Sequence, residues 1–380
     1  MGNTNIMPLP EHLLGSLETP CILIDVEKTR QNIARMQRAA DETHCALRPH
    51  IKTHKMGCFA VLQVEAGASG ITCAKVSEAE VMVRQAGLDD IFIAYPLVGA
   101  FRLRRAVKLS RQVRRLILAV DSIEGASALN GAAEAAGLSF EVRIEVDTGA
   151  KRTGVVFDQL LDLARYIRGC RSLRLTGIYT FKSLIYRNES TIDAALAGAE
   201  EGELMAEAAR RLGEAGFPIR DISAGSSPTG IAAAKTGLVT EIRPGTYIFN
   251  DYMLYKEGAA RLEDISAHFY VTVVSTPGPD YAIIDGGSKT FPMDISLGTP
   301  PYYYTSYAMV DGREDLHLTR LYEEHGILSC PGGETGLRVG QILRMIPVHI
   351  CPAVNLQNEV YLYERGALYR HTVDARGMLA

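Results

Sequence analysis

Up to about residue 243 the chain alternates short apolar runs with charged or Ala-rich stretches of helical period. The run Cys21–Asp25 reads as a strand, and residues 27–42 place Ile33, Met36 and Ala40 at helical spacing among charges, which predicts an amphipathic helix. Further strands are predicted near 46–49, 70–74, 91–95, 115–120, 140–146, 174–180, 219–224 and 239–243, most followed by a helical stretch such as 122–136, 158–168 or 190–215. Eight such units in about 210 residues point to an α/β fold, a TIM-type (β/α)8 barrel; an open doubly wound sheet with one overcounted strand is the alternative. From about residue 256 the pattern changes. Short β-type runs at 269–275, 281–285, 341–347 and 360–363 are separated by Gly and Pro, with little helical periodicity. A barrel over 26–255 followed by a mostly β domain over 256–380 is therefore expected.

Composition narrows the class. A chain of 380 residues can bury a substantial core, and 40 Lys and Arg against 44 Asp and Glu give a net charge of −4. No basic tract is interleaved with aromatics, which argues against nucleic acid as a partner. No apolar run approaches membrane-spanning length, and the N-terminus lacks a basic region followed by an apolar one, so neither membrane insertion nor secretion is expected. The first eleven or so residues are the one candidate for disorder. The cysteines Cys21, Cys45, Cys58, Cys73, Cys170, Cys330 and Cys351 are odd in number and never spaced as C-x-x-C. That usage suits a reducing cytoplasm, with Cys351 the one in a suggestive context.

The chemistry concentrates in a few stretches. Arg48-Pro49-His50-Ile51-Lys52-Thr53-His54-Lys55 packs three cations and two imidazoles beside a proline. Pro49 biases Arg48 to an extended conformation, so Lys52 is expected where a strand runs into a loop. Arg48, Lys55 and any protonated histidine would crowd Lys52 and disfavour its ammonium form, making its amine a nucleophile for Schiff-base chemistry; the alternative is a solvated basic loop. TIM barrels often hold phosphate on the loops after their last two strands. Here those are Ala224-Gly225-Ser226-Ser227-Pro228-Thr229-Gly230 and Arg243-Pro244-Gly245-Thr246-Tyr247, in which glycines admit an oxyanion and hydroxyls add donors. In Pro347-Val348-His349-Ile350-Cys351-Pro352, read as a strand, His349 and Cys351 share a face about 6–7 Å apart. They could hold a catalytic cation completed by water or substrate, although a lone H-x-C is usually coincidence. The thiolate favours zinc over manganese or magnesium.

These stretches, with Thr19-Pro20-Cys21-Ile22-Leu23-Ile24-Asp25 before them and Lys75-Val76-Ser77-Glu78-Ala79 among them, resemble the fold-type III pyridoxal phosphate enzymes of the D-threonine aldolase and D-serine dehydratase family. The likeness runs from about residue 19 to residue 377, with the motifs in the family's order. It implies that Lys52 carries pyridoxal 5'-phosphate and that Gly225, Ser226, Ser227, Gly245, Thr246 and Tyr247 lie at its phosphate. It implies Arg152, within Glu145-Val146-Asp147-Thr148-Gly149-Ala150-Lys151-Arg152-Thr153-Gly154, beside the cofactor's phenolate oxygen. Tyr179 either packs on the cofactor ring or fills the barrel. A divalent metal at His349 and Cys351 is implied, as is proton handling by Glu323 or His325 in Glu323-Glu324-His325-Gly326. Asp285-Gly286-Gly287-Ser288-Lys289-Thr290 matches a further family element. The first strand, about 12–25, would join the β domain, and the active site would lie at a homodimer boundary.

The implied activity is that of a lyase on D-3-hydroxy amino acids. Aldolase cleavage to glycine and an aldehyde stands first, D-serine dehydratase chemistry giving a keto acid and ammonia second, and an amino-acid racemase third. Two departures bear on this. Ser226, Ser227 and Pro228 replace the family's usual glycine triplet. Where family aldolases carry histidines after the sixth strand, this chain reads Tyr179-Thr180-Phe181-Lys182-Ser183-Leu184-Ile185-Tyr186-Arg187, so a base there is absent or replaced by Lys182 or Tyr186.

Overall fold

The structure is a computed structural model and describes residues 10–380; most of the stretch expected to lack order lies outside the described residues. The chain divides into two compact units. One runs to Asn32 and resumes over Thr246–Gly377, and the other comprises Ile33–Gly245 with Met378–Ala380. Residues 246–255, read from sequence as barrel, group with the first unit, where Met253 N donates to Val348 O at 3.0 Å and Ser266 N to Phe249 O at 2.8 Å.

In the second unit eight parallel strands, Ala46–Leu47, Ile71–Cys73, Asp90–Pro96, Arg115–Val120, Phe140–Glu145, Leu173–Tyr179, Asp221–Ala224 and Glu241–Ile242, form one sheet. From Ile71–Cys73 onward they pair in chain order, Glu241–Ile242 pairs with Ala46–Leu47, and a bridge between His50 and Thr72 closes the ring. This is the TIM-type barrel that the alternation of elements predicts. A strand in such a barrel is covered on both sides, and every residue of Phe140–Glu145 is buried. Phe140, Val142 and Ile144 alternate there with Glu141, Arg143 and Glu145, and each charged residue finds a partner: Arg115, Glu241 and Tyr179 respectively. The covering helices are one-sided. Leu160–Gly169 buries Leu160, Leu163, Ala164 and Ile167, spaced i, i+3, i+4 and i+7.

The barrel's filling is thus only partly apolar. Phe92, Ile117, Ala119 and Tyr179 form a cluster, and beside it lies an ion network. Arg48, 1% exposed, places Nε 2.8 Å from Glu241 and Nη1 2.7 Å from Asp90. Arg143, equally buried, meets Glu241 at 2.6 Å and Asp221 at 3.0 Å, and Ser223 Oγ donates to Glu241 at 2.6 Å. Lys55 turns to Glu78, 3.0 Å away. Arg48 and Lys55, which the sequence places beside Lys52, are thus each paired with buried carboxylates.

In the first unit Ala267–Gly278, Tyr281–Ile284, Gly326–Ser329, His317–Leu321, Ala308–Val310 and Ile342–Pro347 pair successively and return to Ala267–Gly278, a closed antiparallel ring. Cys21–Asp25 pairs antiparallel with Ala267–Gly278 and parallel with Glu359–Glu364, which carries Ala367–Thr372. The first strand, which spans Cys21–Asp25 rather than about 12–25 and follows a helical turn at Glu11–Leu14, thus lies in the sheet of this unit. The strands at 308–310, 317–321, 326–329 and 367–372 escape sequence reading: they are short, half-exposed, and in one case broken by a register shift between Leu318 and Arg320. Among the described residues no helix is long and apolar enough to cross a membrane, and all seven cysteines are free thiols.

Candidate active site

Lys52 lies in the single turn Ile51–Thr53 that follows the first barrel strand. It is half-buried, with Nζ 5.7 Å from the centroid of the Phe181 ring. Arg152 stands over the same ring at 4.5 Å, so Phe181, which carries no sequence signal, brings the two cations together. His50 Nδ1 accepts from the Lys52 backbone N–H at 3.4 Å. Burial first, then Lys52, Arg243, Lys55 and Arg152, push the His50 pKa well below the ordinary imidazole value and keep the ring neutral. A neutral imidazole among four cations marks a region of positive potential, which suits a ligand carrying a phosphate and a phenolate.

The loop after the seventh strand needs its glycine. Gly225 has φ +87°, and a Cβ there would stand 2.5 Å from Gly230 Cα. Beneath the loop lies Glu201, fully buried on the helix Ala194–Glu214, which accepts from Thr229 Oγ1 at 3.0 Å and from the backbone of Lys182 and Gly225; burial pushes its pKa up. That helix approaches closely because residue 198 is glycine: a Cβ there would lie 2.5 Å from Thr229 O. Ser226 N donates to Thr229 Oγ1 at 3.0 Å, and Gly245 N donates to Ser227 Oγ at 3.2 Å, which ties the two loops together. The amides of Gly225, Ser226 and Gly245 thus serve the loops' own structure. The hydroxyls of Ser226 and Ser227 belong to the same bonding, Ser226 Oγ lying 2.9 Å from Thr229 Oγ1, so a phosphate held here would draw its hydroxyl donors from bonds now made within the loops.

Other sequence candidates have partners of their own. Tyr179, 1% exposed, lies in the barrel's filling with its hydroxyl donating to Glu145 at 2.8 Å, Phe92 edge-on at 4.9 Å and Arg243 over its ring at 5.2 Å. Tyr247 is buried in the turn Thr246–Ile248, and Thr246 Oγ1 lies 3.3 Å from Cys351 Sγ. Lys182 is buried in an ion pair with Glu200, and Tyr186 lies in a short hairpin under Arg187. Glu323 and His325 sit on the exposed turn between His317–Leu321 and Gly326–Ser329, where Glu323 pairs with Lys289 at 3.3 Å.

His349 and Cys351 are not on a strand. The strand ends at Pro347, His349 is the N-cap of the helix Ile350–Leu356, and Cys351 occupies its first turn. The proline at 352 fits there, because first-turn amides have no intrahelical partner to lose. One carboxylate holds this helix start: Asp251 Oδ2 accepts from Ile350 N at 3.0 Å while its Oδ1 accepts from Leu254 N at 2.9 Å. Burial pushes Asp251 up to about 6. The two side chains still converge. Burial opposes the His349 charge, but Cys351, with which it shares a hydrogen bond, the Asp294 hydrogen bond and the Asp251 charge outweigh that and push its pKa up to about 11. Among the described residues no three His, Cys, Asp or Glu side chains are arranged to hold a metal ion. A cation here would take an imidazole and a thiolate from the protein and small ligands for the rest, a donor set that fits a catalytic site.

A further carboxylate in this region is perturbed. Glu257, the C-cap residue of the helix Tyr252–Lys256, is pushed up to about 8, first by burial and then by the charge of Asp251. Its folded-state pKa exceeds the ordinary 4.5, so the stability it contributes is complete below about 4.5 and is lost as pH rises through 8. Glu257→Gln is expected to lie close to the parent at pH 5 and to exceed it at pH 9 by about 1–2 kcal/mol, the side chain being only half-buried, as read by chemical denaturation at both values. A difference between parent and variant that is the same at the two pH values would refute the assignment.

With this geometry in place, comparison with known proteins identifies the class. Residues 24–253 match the family model described as "Alanine racemase, N-terminal domain", and residues 266–363 match a serine dehydratase domain model. The chain is 35% identical to D-threo-3-hydroxyaspartate dehydratase of Delftia sp. (strain HT23), over 89% of this chain and 92% of the relative. It is 30% identical to D-threonine aldolase of Arthrobacter sp, over 94% and 92%. The crystal structure of D-threonine aldolase from Filomicrobium marinum superposes with a TM-score of 0.84 at 25% identity, covering 97% of this chain and 98% of that one. The chain belongs to the alanine racemase-like, fold-type III family of pyridoxal phosphate enzymes.

Proposed function

We propose that this chain is a pyridoxal phosphate- and divalent-metal-dependent lyase acting on D-3-hydroxy amino acids, of the D-threonine aldolase type, which cleaves Cα–Cβ to release glycine and an aldehyde. The observation that carries the metal-dependent lyase reading is the meeting of His349 and Cys351 at the head of the helix Ile350–Leu356, and likeness to D-threonine aldolases puts cleavage first. A racemase has no need of a cation, whereas a lyase that acts on 3-hydroxy amino acids must engage that hydroxyl. Pyridoxal phosphate, when bound, supplies an electron sink, and a divalent cation supplies a Lewis acid for the 3-hydroxyl. Lys52 anchors the cofactor, with Arg152 and the neutral His50 setting the charge around it. The Ser226 and Ser227 hydroxyls hold its phosphate. His349 and Cys351 hold the cation, and the soft thiolate favours zinc. Family likeness supports a homodimer, and free cysteines suit a cytoplasmic, reducing location.

Dehydration is the second reading, and two features support it: the metal ligand proposed beside His349 is a cysteine, and Lys182 lies in an ion pair where family aldolases carry histidines. In that case the Lys52 amine takes the α-proton and the 3-hydroxyl leaves, giving a keto acid and ammonia. The metal-loaded enzyme should be incubated with D-threonine, D-serine and D-threo-3-hydroxyaspartate, with glycine, keto acids and ammonia assayed. Glycine and acetaldehyde from D-threonine are expected. Keto acid without glycine would establish the dehydratase instead, and inversion at Cα alone would establish a racemase.

A further inference from the structure

The segment after Tyr281–Ile284 is held at several points. Asp285 accepts from Thr19 Oγ1 at 2.6 Å and from Thr272 N at 2.9 Å. At Gly287 a Cβ would stand 2.2 Å from Tyr322 O, so the segment lies directly against the turn that carries Glu323. Phe291 is fully buried against Phe269, with ring centroids 4.3 Å apart. Three residues beyond this anchor is Asp294, whose Oδ2 lies 2.5 Å from His349 Nδ1, across 55 residues of sequence. The carboxylate also accepts from its own backbone N–H, which sets its orientation.

We propose that Asp294 is a positioning residue for the cation site: it holds the Nδ1–H of His349, fixes the ring, and leaves Nε2 as the nitrogen that meets the metal. A histidine that ligates through one nitrogen characteristically donates the other N–H to a carboxylate or carbonyl, which orients the ring and makes it a better donor. The Asp285-Gly286-Gly287-Ser288-Lys289-Thr290 element acquires a purpose on this account, since it anchors the segment that delivers Asp294. The inference rests on the cation site assigned to His349 and Cys351.

The test is Zn2+ and Co2+ binding to the chelator-stripped, cofactor-loaded enzyme, by calorimetry and by the visible spectrum of the Co2+ form. Asp294→Ala is expected to bind Zn2+ about 10–100-fold more weakly, with an altered Co2+ spectrum and unchanged cofactor absorbance. Asp294→Asn, which keeps an acceptor but loses the charge, should fall between Ala and the parent. Parent-like affinity and spectrum in Asp294→Ala would overturn the inference while leaving the cation site standing. Failure of the parent to bind either metal, or binding unaffected by His349→Ala, would overturn the site and the inference with it.

Discussion

Lys52→Ala is expected to fold like the parent, to purify without the visible absorbance of lysine-bound pyridoxal phosphate, and to lose activity by at least about a thousandfold. The fold should survive because the turn is held by backbone: Lys55 N donates to Ile51 O at 2.8 Å, and Lys52 N donates to His50 Nδ1. The half-buried side chain contributes only its approach to the Phe181 ring, a small loss on truncation. The amine itself has no substitute among its neighbours. Lys55 is committed to Glu78, Lys182 to Glu200, and Arg152 is a guanidinium that does not deprotonate. Borohydride should bleach the parent and trap the cofactor on the peptide containing residue 52. A variant that keeps the bleachable band would show that the cofactor is carried by another residue.

The barrel is legible in the sequence because helical and strand periods alternate with few interruptions, and its strands keep an apolar face for the helices that cover them. The stretch around Lys52 is legible as a place but not as a geometry. Its local concentration of charge suggests mutual crowding, whereas Arg48 turns into the barrel and meets Glu241, 193 residues away. Partners that distant leave no mark in local spacing. The same holds for Asp251 and Asp294, single acidic residues 99 and 55 positions from the groups they hold. For His349 and Cys351 the pairing is legible and the backbone is not: the apolar run through Pro347 looks like a strand that continues, but Asp251 captures Ile350 N and starts a helix. Pro352 is the available signal, since proline belongs in a first helical turn rather than mid-strand.

The largest loss of stability is expected at Glu241, where one carboxylate serves two arginines that are each 1% exposed. Glu241→Ala leaves Arg48 and Arg143 without their shared partner in a closed barrel, and breaking a buried pair in this way costs about 3–5 kcal/mol. Asp90 and Asp221 remain bonded to the two arginines, which places the effect toward the lower end of that range. Glu241→Gln keeps an acceptor for Ser223 Oγ and should cost less. The pH dependence follows from the same contacts. Burial by itself would raise the Glu241 pKa, but Arg143 and Arg48 outweigh it and hold the group far below its ordinary 4.5. A depressed folded-state pKa contributes stability that is present above 4.5 and is lost as pH falls below it toward the folded value. Urea unfolding at pH 7 and again near pH 3 should therefore show a parent that weakens in acid and a Glu241→Ala variant that starts lower and weakens less. Equal unfolding midpoints for parent and variant at pH 7 would mean that Asp90 and Asp221 alone satisfy the arginines, and that the barrel's ion network does not depend on its central carboxylate.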